Sequence, residues 1–160
     1  MRWTPLALIA LLGSSFLDAP AGVPASFAVV VHSSNPTANL KHEDLQSYFL
    51  GDRRRWPNGS KVVLAMRDSD SSAFQYMLAR ILNMTPSEYR RHLVSLEYKG
   101  DAPILMKVLN TDSAACKFVF NVPGAMALVE SSALASPECS QVRVLRVDGK
   151  LPAEEGYPLR

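Results

Sequence analysis

Hydrophobic and polar positions change period several times along this chain, and each change predicts an element. Phe27 to His32 (FAVVVH) is a continuous apolar, β-branched run, the pattern of a strand buried on both faces. The next residues, SSNPTAN, form a loop punctuated by Asn35-Pro36. Between Leu40 and Leu50, Leu45, Tyr48 and Phe49 recur at helical spacing, with Glu43 and Asp44 in the favourable first turn and Gly51 as the stop. Pro57 and Asn58-Gly59 mark a tight turn in WPNGS.

Lys61 to Met66 (KVVLAM) predicts a second strand, and a helix follows in which Phe74, Met77, Leu78, Ile81 and Leu82 share one face. Thr85, Pro86 and Glu88 form a helix-start signature for the next segment. ILMKVLN, from Ile104 to Asn110, predicts a short helix, and TDSAACKFVFN predicts another capped by Thr111 or Ser113. A turn at Pro123-Gly124 leads into a third strand, and VRVLRVDG, from Val142 to Gly149, predicts a fourth. Strands that alternate with helices imply an α/β fold, a small and largely parallel or mixed sheet flanked by helices.

Composition narrows the class. The chain has 160 residues, 48% hydrophobic and 20% charged, which suits one globular domain with a real core. A formal net charge of +2 is too near neutral to point to nucleic acid or an anionic membrane as the main partner. The amino end reads as a leader rather than as part of the fold. Met1-Arg2 is a short basic start, Leu6 to Leu12 is an apolar core of h-region length, and Val23 and Ala25 fit a small-x-small cleavage site, with Ala19 and Ala21 as a second choice. The expected organisation is a signal peptide over 1–25 and a single domain over 26–160. The protein would be periplasmic or otherwise exported, with no membrane span in the mature chain. In an oxidising compartment Cys116 and Cys139 read either as one disulfide or as two buried thiols.

Catalysis finds little support. His32, His42 and His92 are scattered, no pair lies at i, i+4, and no G-x-S-x-G elbow, Walker loop or G-x-G-x-x-G occurs. No cofactor is implied. Arg53-Arg54-Arg55 before Trp56 reads as a solvated charged turn or as an anion or partner contact. The stretch AMRDSDSSAF is better placed for chemistry. Arg67 ends a strand, and Ser69, Ser71 and Ser72 precede or open a helix. Ligands in open α/β sheets settle beyond the carboxyl ends of strands, and a helix start offers unpaired N–H groups to an anion. An arginine adds a planar bidentate donor. The plainer reading has Ser69 or Ser71 capping the helix and Arg67 pairing with Asp68 or Asp70.

The order of motifs resembles the phosphate-type solute-binding proteins of ABC transporters, which have a type 2 periplasmic binding fold. Asn35, Pro36, Leu40, Leu45, Phe49, Gly51, Trp56, Asn58 and Gly59 match the family's N-P…L…L…F-x-G…W-x-[DN]-G region. VPGAMALV resembles its P-G-A-I-G-Y-V strand, and VDGKLPAEEGYPLR its closing D-G-x-x-P…Y-P-L-x-R. The resemblance implies one lobe of a two-lobed clamshell that holds an anion between its halves. It also implies a non-enzymatic binding domain for a small oxyanion such as phosphate. The family's R-x-x-x-S-G-T stretch falls on Arg67 to Ala73. Arg67 and Ser71 keep their types, Ser72 replaces the glycine, and Ala73 replaces the threonine and loses a hydroxyl. Nothing matches the first lobe, so a homodimer or another protein would have to complete the site. The alternative is an interaction module that has lost its ligand.

Overall fold

The computed structural model describes residues 26–99 and 103–160, so the expected leader lies outside the described residues. Its centre is a mixed sheet of five strands in the order β4-β3-β5-β1-β6. β1 is Phe27–Val31, β3 is Val63–Arg67, β4 is Leu105–Leu109, β5 is Ala125–Glu130 and β6 is Arg143–Val144. β3 runs parallel to both β4 and β5, while β1 runs antiparallel to β5 and β6. A two-stranded parallel sheet of β2 (Asn39–Leu40) and β7 (Arg146–Val147) lies apart from it.

Both faces of the central sheet are covered, which is why β1 and β5 read as unbroken apolar runs. On one face Val29, Val31, Leu64, Met66, Met126 and Leu128 pack under α1 (His42–Leu50), the helical run that starts with α2 (Ser72–Tyr76), and Tyr89 of α3 (Pro86–Tyr98). On the other face the side chains are small. Ala28, Ala65, Ala125 and Ala127 let α4 (Asp112–Asn121) approach closely through Ala115, Cys116 and Val119. Cys116 is bonded to Cys139, so α4 is tied to the segment that precedes β6. Closing a loop of this length contributes about 3 kcal/mol in the chain-entropy account.

Local chemistry explains most boundaries. Thr85 and Glu88 form a complete capping box, and Gly51 ends α1 in the left-handed conformation with its N–H on Tyr48 O. The helix after α2 widens into a π-helical stretch, Met77–Leu82, and stops at Asn83 in the left-handed region. Trp56 is buried against Tyr48, and its indole N–H donates to Gly124 O at 2.8 Å. Gly124 has φ of +87°, and a β-carbon there would stand 2.3 Å from Lys61 O.

Two expected elements differ. Within Ile104 to Asn110, Leu105–Leu109 forms strand β4, not a helix. Its five residues pair in parallel register with Val63 to Arg67, and that ladder outweighs a run too short to show a period. Val142 to Gly149 is not one strand. Leu145 is fully buried between β6 and β7, and the chain passes there from one sheet to the other.

Gly124→Ala should lower stability by at least about 1–2 kcal/mol from the left-handed backbone alone, with the clash at Lys61 O added. Gly59→Ala shares the positive φ but meets nothing within 4 Å, so it should cost less. Thermal unfolding of the two variants checks this, and equal losses would contradict it.

Candidate functional site

Three parallel strands, β4, β3 and β5, end side by side, and the candidate residues gather there. Arg67 is the last residue of β3. Ser71 is the N-cap of α2, and its Oγ accepts the Phe74 N–H at 3.2 Å and donates to Asp68 O at 2.7 Å. Asn110, Thr111 and Asp112 follow β4, where Thr111 caps α4. Glu130 closes β5.

The guanidinium of Arg67, with five N–H groups, has four acceptors around it. Nε donates to Leu109 O at 3.3 Å, and Nη2 donates to Asn110 O at 2.9 Å and to Asp68 Oδ1 at 3.2 Å. Nη1 donates to the carboxylate of Asp112. The side chains of Arg67 and Asp112 are only 11% and 16% exposed, so this pair is largely withdrawn from solvent. The second oxygen of Asp112 accepts the Glu130 N–H at 3.3 Å. One carboxylate therefore joins the ends of β3 and β5 to the start of α4.

The serines are engaged as well. Ser72 Oγ donates to the carboxylate of Glu130. Ser69 Oγ donates to Asp70 at 3.3 Å, and Gln75 Nε2 donates to Ser69 O at 2.6 Å. The stretches Arg67–Ser72, Asn110–Asp112 and Glu130 together carry one arginine and four carboxylates, those of Asp68, Asp70, Asp112 and Glu130. That balance repels an incoming anion. A cavity that touches Arg67 measures about 10 Å³ and is otherwise walled by apolar side chains such as Phe74, Met77 and Leu128. It has room for about one water.

The four sequence candidates are thus brought to one strand-end mouth. Arg67, Ser71 and Ser72 share a network with Asp112 and Glu130, and Ser69 sits at its exposed rim. Both parts of the plainer reading are present, a Ser71 cap and an Arg67–Asp68 pair. Asp112 and Glu130 escaped the sequence reading. Reading Leu105–Leu109 as a strand would have placed Asp112 at a strand end beside Arg67. Among the described residues, no group of three or more His, Cys, Asp or Glu is placed to hold a metal, and no helix is long and apolar enough to cross a membrane.

The same arrangement of elements occurs in solved substrate-binding proteins of phosphate ABC transporters. One from Clostridium perfringens, solved with bound phosphate, superposes with a TM-score of 0.66 at 14% identity, covering 84% of this chain and 52% of its own. PstS from Borrelia burgdorferi gives 0.67 at 16%, covering 84% and 54%. An ABC-type phosphate transport receptor from Vibrio cholerae gives 0.62 at 17%, covering 81% and 48%. The chain therefore has the α/β fold of phosphate-type solute-binding proteins, within about half their length. These neighbours are binding proteins rather than enzymes. No protein-family model matches the chain, and no curated protein matches its sequence.

Asp112→Ala leaves a largely covered guanidinium with Asp68 as its remaining counter-charge and should cost about 2 kcal/mol, below the range for breaking a fully buried pair from one side. Asp70→Ala, at an exposed position, should stay within about 0.5 kcal/mol. Urea unfolding of both variants tests the contrast, and a silent Asp112→Ala would refute the role given to the pair.

Proposed function

We propose that residues 26–160 form one exported, non-enzymatic binding lobe of the phosphate-type fold, which acts through contact with protein and not through oxyanion capture. The observation that carries this reading is the Arg67–Asp112 pair. An oxyanion would have to compete with that carboxylate for the guanidinium, and Asp68, Asp70 and Glu130 would oppose its approach. Ala73 offers no hydroxyl in compensation. Export is supported by the composition of residues 1–25 and by the Cys116–Cys139 bond, which suits an oxidising compartment.

A second reading keeps weak phosphate or sulfate binding at Arg67, Ser69, Ser71 and Ser72. It is favoured by one observation, that Arg67 and Ser71 stand together where a strand ends and a helix begins. On that view the resemblance attaches the chain to phosphate uptake or sensing, with a further protein surface completing the half-site.

Thermal unfolding against rising phosphate and sulfate separates the two. The first reading predicts no saturable rise in Tm at millimolar anion. A saturable rise that Arg67→Ala abolishes would overturn it in favour of the second.

A further inference from the structure

β4 stands at the edge of the central sheet with only β3 beside it, and its outer backbone groups face away from the sheet. Its side chains are poorly covered. Leu105 is 41% exposed, Met106 36% and Val108 57%, and Lys107 is its only charged residue. Natural edges are usually blunted by charges, proline or a bulge, and an apolar edge of five residues is a template for another strand. The register places Met106 and Val108 on the face of Leu64 and Met66, and Leu105 and Lys107 on the opposite face with Val63 and Ala65.

The two ends of this edge differ in charge. At its amino end a cavity of about 240 Å³ lies between Leu105, Ile104 and a hairpin that carries Arg55 and Lys61. The hairpin is fixed by the Arg55–Lys61 bridge and by Trp56 N–H donating to Ser60 O at 2.8 Å. Arg53 is matched by Asp44 at 2.8 Å, while Arg55 and Lys61 are exposed, with Asp52 the one carboxylate in the run from 52 to 61. At the carboxyl end, Asp68 and the exposed Asp70 follow β3 beside the edge, while Asp112, three residues past β4, is already paired with Arg67 and Glu130 lies two strands in, at the end of β5.

We propose that the occupant of this edge is a second copy of the chain, paired antiparallel through β4 about a two-fold axis. The two-fold sets each basic amino end beside the acidic carboxyl end of the other copy. Complementary ends of this kind orient an encounter and reject the parallel arrangement. Parity restricts the register. A two-fold perpendicular to the sheet keeps each face, so facing residues must be of equal parity and the axis must pass through a facing pair of identical residues. Centring on Lys107 would set two like charges directly opposite, which is destabilising. Centring on Met106 or Val108 sets Lys107 opposite Leu105 or Leu109, and gathers both copies of Met106 and Val108 on one face of a continuous sheet of ten strands. The pairing does not depend on whether the lobe binds an anion.

The test is sedimentation equilibrium of the purified chain at low and high salt, with amide exchange across Leu105–Leu109. The expected result is a dimer whose Kd rises about tenfold or more on moving to high salt, since exposed charges are screened there. Slowed exchange at alternate residues of β4 should accompany it. Val108→Lys, at an exposed position, should give a folded monomer. Lys61→Glu should weaken the dimer, and adding Asp70→Lys should restore it. A folded wild-type monomer with fast exchange along β4 would overturn the proposal. So would a dimer that Val108→Lys leaves intact, because the contact would then lie elsewhere. Phosphate-dependent stabilisation would bear on the proposed function alone.

Discussion

The Arg67–Asp112 ion pair is the contact on which the strand-end mouth of this fold depends. It sits where three parallel strands finish, and its two side chains are mostly withdrawn from water. Burial raises the cost of leaving either charge alone, so each holds the other in place. Asp112 also lies in the first turn of α4, where the helix dipole favours a carboxylate, and it accepts the backbone N–H of Glu130. One carboxylate thus fixes the junction of β3, β5 and α4.

The fold follows from covering both faces of a sheet with unequal partners. Large side chains on one face meet α1 and the helical run after Ser71, and alanines on the other admit α4. Gly124 lets the chain pass Lys61 O closely enough for Trp56 to reach the Gly124 carbonyl. These are short-range steric requirements, met by residue types at single positions.

Much of this was legible in the sequence where local chemistry decides the outcome. The caps at Thr85 and Gly51, the turn around Asn58-Gly59 and the buried strand at Phe27 all follow from residue type and spacing, which also narrow the cap of α2 to Ser69 or Ser71. What escaped depends on partners distant in sequence. Leu105 to Leu109 is a strand because β3 offers a ladder, not because its own pattern says so. The helix expected there hid part of the candidate site, since Asp112 comes beside Arg67 only once β4 is paired with β3. Glu130 was likewise invisible, because its contact with Ser72 spans 58 residues.

The central claim is that Arg67 belongs to the protein's own carboxylates. The most direct measurement is the ¹⁵N–¹H resonance of the Arg67 Nε–H group, followed during a phosphate titration. The account predicts a slowly exchanging proton whose shift does not move at millimolar phosphate, because Leu109 O and Asp112 already hold the guanidinium. A saturable displacement of that resonance would show that the guanidinium is open to an oxyanion, and would contradict the account.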